Sequence, residues 1–181
     1  QTASLLDLAA ARKLIRYAAR RAPIVVVAIH AGAEGSDAQH VTGGEETYLG
    51  EDRGNPEAFA KMAIRAGADL VFGSGPHVLR GMEIYRDRLI AYSLGNFSGF
   101  HNFDISVVLC VSAILHVTVD KEGAFRSGRI SSVRLVEAGQ PVNDSSGESA
   151  DIIRELSRED LGEDAVRIGD DGRILGTVSD G

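Results

Sequence analysis

Two short runs of consecutive apolar residues, Ile24-Val25-Val26-Val27-Ala28-Ile29 and Leu70-Val71-Phe72, place the tightest constraint on how this chain folds. The first is β-branched except at Ala28. It lacks the polar alternation of a strand with one wet face, so it reads as a strand covered on both sides. Each run follows an amphipathic helix. In the first, Leu5, Leu8, Ala11, Ile15 and Ala18 fall at three- and four-residue steps, Arg12, Lys13, Arg16, Arg20 and Arg21 take the other sides, and Pro23 is the stop. In the second, Asn55-Pro56-Glu57 has the form of an N-cap with proline at the first helical position. Phe59, Met62, Ala63 and Ala66 make its buried stripe and Gly67 ends it. Helix followed by fully apolar strand, twice, predicts a layered α/β fold.

The second half is strand-rich. Residues 82–85 and 89–93 flank Arg86-Asp87-Arg88 as a hairpin, and 107–119 and 129–136 flank Asp120-Lys121-Glu122-Gly123 as a longer one. Residues 139–148 read as a linker, followed by a short helix near 151–158. A last hairpin, 165–168 with 173–178, turns at Asp170-Asp171-Gly172. Residues 31–54 carry no periodicity, and so long a loop inside a compact domain is often functional.

Nineteen Lys and Arg against 26 Asp and Glu give a net charge of -7, which excludes the broad basic face of a general nucleic-acid binder. The single cysteine, Cys110, excludes an internal disulfide framework and a cysteine-built zinc site. The longest apolar run, 107–115, is broken by Ser112 and is too short to span a bilayer.

Both apolar strands run into glycine-containing loops that carry a histidine, His30 and His77. The carboxyl ends of strands form the crevice of an α/β sheet. Two imidazoles delivered to one edge could share a divalent metal, or each could simply cap its strand through backbone hydrogen bonds. Asn96, in Tyr92-Ser93-Leu94-Gly95-Asn96-Phe97, sits past another strand, where it could orient a phosphate or carboxylate or serve as a turn residue. Glu34, Glu45, Glu46 and Asp52 lie in the long loop, within reach of a metal but ordinarily solvated. His40 reads as a surface histidine of that loop, His101 is close in sequence to Asn96, and His116 belongs to a strand. Ser74, in Phe72-Gly73-Ser74-Gly75, does not fit the Gly-x-Ser-x-Gly spacing of a serine-hydrolase elbow.

The segment from Gly67 through Gly75-Pro76-His77-Val78-Leu79-Arg80-Gly81, followed by Tyr92-Ser93-Leu94-Gly95-Asn96-Phe97, resembles the CapA/PgsA family of bacterial poly-γ-glutamate capsule synthesis proteins. Its signature there is "GADLVIG-x-HPHVLQ" leading to "YSLGNF", and Val27-Ala28-Ile29-His30-Ala31-Gly32 resembles the family's "VSLHWGxEY" element. The likeness is close over residues 5–97. It implies part of a calcineurin-like metallophosphoesterase β-sandwich flanked by helices, with a pair of divalent metals (Mn, Zn, Fe or Mg) at strand ends. His30 and His77 become metal ligands and, with Asn96, catalytic candidates, while Arg80 and Asn96 become substrate contacts. The implied role is biosynthesis of poly-γ-glutamate or a related surface polymer through a metal-dependent phosphoester hydrolase site. The alternative is a non-catalytic polymer-binding or assembly component.

The family's amino-terminal segments, "GD", "NLE" and "ANNH", have no counterpart here. The chain is therefore expected to be a C-terminal portion, with 1–138 in the metallophosphoesterase-type domain and 139–181 a linker, helix and hairpin of that domain. A two-metal site and activity are expected only with the other half present. Gly75 stands where the family often has the first histidine of His-Pro-His. Expected partners are an anionic polymer or phosphoester, other capsule synthesis proteins and a second copy paired through exposed strand edges. The expected location of the whole protein is extracytoplasmic or membrane-associated.

Overall fold

The computed structural model describes residues 3–99, 101 and 104–177. Among these are three α-helices and three sheets, a mixed α/β architecture as expected. Helix α1 (Leu8–Ala19) starts at Asp7, whose side chain accepts from the Ala10 N–H, and buries Ala11 and Ile15. Helix α2 (Pro56–Ala66) is capped by Asn55, which accepts from Ala58 N–H, and is ended by Gly67 at φ 110°, a left-handed turn open to glycine.

Strands β1 (Val26–His30), β4 (Leu70–Ser74), β5 (Met82–Tyr85) and β6 (Arg88–Ala91) form one sheet in the order β1-β4-β6-β5. The pairs β1/β4 and β4/β6 are parallel, and β5/β6 is an antiparallel hairpin. Its two-residue turn, Arg86-Asp87, has φ of 53° and 60°, the twist that suits a tight hairpin. Both helices pack on one face of this sheet, in a cluster that includes Ile15, Ile29, Phe59, Met62, Val71 and Tyr92.

A second sheet covers the other side. Strands β7 (Val111–Val119), β8 (Phe125–Val136), β10 (Val166–Ile168) and β11 (Arg173–Thr177) run in the order β10-β11-β8-β7, with β9 (Gln140–Asn143) also on β8. Helix α3 (Glu148–Asp160) joins it, and Ile153, Met82, Leu89, Val111 and Ile130 share a second core. A third, small sheet pairs β2 (Glu46–Tyr48) with β3 (Glu51–Gly54).

Several boundaries differ from the sequence expectation. The long loop contains the β2–β3 hairpin, whose polar residues give no alternation to read. Residues 107–110 form a 3₁₀ turn ahead of β7, and the expected linker at 139–148 contains β9. Val178, expected at the end of the last strand, lies outside the described residues.

Candidate functional site: a histidine crevice at the strand ends

Parallel pairing fixes where the histidines go. His30, the last residue of β1, is in register with Ser74, the last residue of β4, so both loops leave the sheet at the same edge. Ser74 Oγ donates to Ile29 O at 3.2 Å and lies 3.4 Å from His30 Nδ1. With the hydroxyl proton directed at Ile29 O, Ser74 presents a lone pair toward His30, and an Nδ1–H tautomer of the imidazole suits this contact.

Three residues beyond β4, His77 adopts φ 63°, a left-handed conformation that is uncommon outside glycine and often marks a functional position. Its Nδ1 lies 2.6 Å from Oδ1 of Asn96. The Asn96 amide is oriented in turn, because its Nδ2 donates to Leu109 O at 3.2 Å, which makes Oδ1 the acceptor and His77 Nδ1 the donor. Asn96 is 5% exposed, so the turn role open to it in the sequence gives way to one as the partner of His77.

His77 Nε2 faces Oε2 of Glu34 at 3.5 Å. The Glu34 loop reaches it because Gly35 N–H donates to Pro76 O at 3.0 Å. The second oxygen of Glu34 accepts from Arg53 of β3. Glu34 is the residue to which the sequence reading gave too little weight. It lies four positions after His30, where the family element "HWGxE" also carries its glutamate, and that spacing was the available signal.

Arg80 is not in the crevice. It is 1% exposed, and its guanidinium bonds Glu46 twice, at 3.0 and 2.7 Å, while its Nε donates to Ala38 O at 2.6 Å. The expected substrate contact is instead the buried anchor of the loop, because each of its three guanidinium nitrogens already donates to that loop. Glu46, read as a loop charge, is its buried partner. Glu45 and Asp52 are exposed. His40 pairs with Asp160 of α3 at 2.9 Å, and His116 Nε2 lies 3.2 Å from Ser131 Oγ across β7–β8. The backbone N–H of His101 donates to Ala138 O at 2.9 Å.

The described residues hold no group of three or more His, Cys, Asp or Glu side chains placed to share a metal. What they do supply is partial but directed. With the proton on Nδ1, as the Asn96 contact favours, a neutral His77 would turn an Nε2 lone pair toward a carboxylate oxygen, a geometry that a proton or a cation between the two would join.

The chain belongs to the bacterial capsule synthesis protein PGA_cap family, whose model matches residues 1–99. It is 32% identical over 148 residues to the PGA biosynthesis protein CapA of Bacillus subtilis, covering 81% of this chain and 34% of that protein. It is 45% identical over 56 residues to the capsule biosynthesis protein CapA of Bacillus anthracis, 28% of this chain and 14% of that one. A Sinorhizobium fredii protein described as uncharacterized, y4sH, is 61% identical over 41 residues, 23% of this chain and 9% of its own length. The chain thus spans about a third or less of the curated relatives it matches.

Proposed function

We propose that the chain is the histidine-bearing part of a capsule-biosynthesis protein with a metal-dependent phosphoesterase-like site on a calcineurin-like sandwich. The observation that carries this is the facing of His77 Nε2 and Glu34 Oε2 at 3.5 Å, with the imidazole tautomer set by Asn96. His77 and Glu34 would hold a divalent metal (Mn, Zn, Fe or Mg), with His30 at the same edge as a further ligand. The rest of its shell would come from outside these residues. A bound divalent metal polarises a phosphoryl group and lowers the pKa of a coordinated water. Asn96 holds the imidazole of His77, and Arg53 holds the carboxylate of Glu34. The substrate class is a phosphoester or the anionic polymer itself, the setting is extracytoplasmic or membrane-associated, and other capsule synthesis proteins are partners. No helix among the described residues is long and apolar enough to cross a membrane.

A second reading, a non-catalytic polymer-binding or assembly component, is favoured by two observations. Gly75 stands where the family signature it resembles has the first histidine of His-Pro-His, and Arg80 is committed to Glu46. Elemental analysis after manganese loading separates the readings. In the full-length protein the wild type is expected to retain metal, His77→Ala and Glu34→Gln are expected to lose it, and hydrolysis of a generic phosphoester should follow the metal. Retained metal without turnover in the intact protein would select the assembly role. Absence of metal from the wild type would end the hydrolase reading.

A further inference from the structure

We propose that Arg65, Tyr85 and Arg86 form a docking site for the carboxylate groups of an acidic polymer, at the end of the first sheet remote from the histidine crevice. The identity of the polymer rests on the capsule-biosynthesis reading; the anion chemistry of the site does not. Strands β1, β4 and β6 are parallel, so they start together at one end of the sheet and lead to the crevice at the other. Arg88, the first residue of β6, pairs with Tyr85, the last of β5, across the turn Arg86-Asp87. Arg65 stands in the last turn of α2, just before the chain enters β4 at that same starting end.

The Tyr85 ring gathers these groups. Arg65 Nη1 donates to its hydroxyl oxygen at 2.9 Å, and no acceptor among the described residues takes the phenolic proton, which is left to donate outward. The Arg65 bond also holds the hydroxyl below its usual pKa, and a more acidic hydroxyl is a stronger donor. The guanidinium carbons of Arg65 and Arg86 lie 5.8 and 5.6 Å from the ring centroid. Lys61 Nζ, at 5.5 Å, is already answered by Glu57 at 2.8 Å and Glu83 at 3.2 Å. Arg53, Arg80, Arg88 and Arg134 are likewise each held by a carboxylate of this chain. Arg65 and Arg86 differ. Both are exposed, and neither forms an ion pair with an acidic side chain among the described residues, Asp87 of the same turn included.

Two guanidinium forks and a phenol proton around one ring suit a carboxylate, which accepts two parallel N–H bonds from a fork. Arg20 offers the next contact. The end of α1 lies against the end of α2, since a Cβ on Gly67 would come within 2.8 Å of Ala19 Cβ, and Arg20 follows Ala19 and is exposed. Each such surface contact is weak alone, but a chain with a carboxylate on every residue engages them together and gains by multivalency. Arg80, the arginine expected to meet substrate, is spent on Glu46. In a chain of net charge -7, this exposed pair reverses the field locally. A fully extended run from Arg88 to Asn96 would span no more than ~29 Å, so one long polymer can rest here and still reach the crevice.

The test uses the full-length protein in EDTA, so that no metal contributes, and a fluorescein-labelled decamer of γ-linked glutamate followed by anisotropy. The expected result is saturable binding that weakens as salt is raised, and little binding of the same decamer with its carboxyls converted to amides. Arg65→Gln/Arg86→Gln should bind at least ~5-fold more weakly, and Tyr85→Phe, which keeps the ring and loses the donor, about 2-fold. Circular dichroism confirms that these variants are folded. With isotope-labelled tyrosine, the NMR resonance missing from Tyr85→Phe should be the one that moves as the decamer is added. His77→Ala and Glu34→Gln should bind the decamer as the wild type does, even where they lose metal and turnover, which keeps this site separable from the crevice. Undiminished binding by the arginine double variant, equal binding of the amide decamer, or loss of binding in His77→Ala overturns the proposal. So does a tighter hold by the same arginines on polyphosphate or on vesicles of anionic phospholipid, which would assign the site to a phosphate-bearing partner.

Discussion

The Nδ1 of His77 and the Oδ1 of Asn96 lie 2.6 Å apart although 19 residues separate them in the chain. The contact joins the loop after β4 to the segment after β6, two parallel neighbours, and it sets which imidazole nitrogen is left to face Glu34.

If the crevice holds a metal as proposed, loss of that contact should weaken its binding. Asn96→Ala removes the acceptor that orients His77, and partners of this kind typically account for 10–100-fold in metal affinity. A weakening of about that size is expected in manganese titration calorimetry, with Asn96→Asp, which still accepts, closer to wild type. Unchanged affinity in Asn96→Ala would show that Asn96 does not orient the ligand.

The Arg80–Glu46 pair should govern stability. Removing one member of a buried, doubly bonded pair leaves an unpaired charge and costs ~3–5 kcal/mol. Arg80→Met and Glu46→Gln should each lower the urea midpoint accordingly, and the double variant Arg80→Met/Glu46→Met should recover much of the loss. If Arg80→Met alone leaves the midpoint unmoved, the anchor role is wrong.

Glu83 gives a pH signature. It is fully buried, accepts from Tyr92 OH and lies 3.2 Å from Lys61 Nζ. Burial holds its carboxyl above the usual range against the opposing pull of Tyr92 and Lys61, and burial beside Glu83 pushes the Tyr92 hydroxyl up as well. A carboxyl raised on folding favours the native state while protonated. Its contribution is complete below the unfolded value near 4.5 and is lost as pH rises through the folded one. The stability of wild type relative to Glu83→Gln should therefore fall with rising pH above ~4.5 and then level off. Carboxylates depressed in the native state, such as Asp144, slope the other way but do so in both proteins and cancel. A difference that rises or stays flat across that window would contradict this assignment.

Gly75 resists the obvious repair. Its φ is +117°, and a Cβ there would lie 2.9 Å from both the N and the O of Ala31. Gly75→His should lower the thermal midpoint and gain no metal. A stable variant with an added metal would show that β1 and the loop can separate to admit a side chain.

The helices were legible because their signals are local. Asn55, Pro56 and Gly67 mark both ends of α2 within twelve positions, and the spacing of Ala11 and Ile15 gives the buried face of α1. The parallel strands were legible as unbroken apolar runs. The β2–β3 hairpin was not, since Glu46, Thr47, Glu51 and Asp52 carry no hydrophobic pattern and owe their place to tertiary contacts. Arg80 and Glu46 are 34 residues apart, and nothing near either one announces that they meet. His30, His77 and Asn96 could be placed at strand ends from the sequence. The pairing of His77 with Asn96, and the approach of Glu34, required the loop geometry.

Helix α3 lies beyond residue 99, where the family match stops, yet it reaches back into the matched part. Asp160 takes His40 Nδ1 and Val41 N–H at 2.9 Å each, and Ser157 Oγ accepts Met82 N–H at 2.8 Å. The loop that presents Glu34 is thereby moored at its far end to a segment beyond the family-model match. A change in α3 that breaks these bonds would therefore loosen the loop that frames the crevice, although the change itself lies beyond the family match.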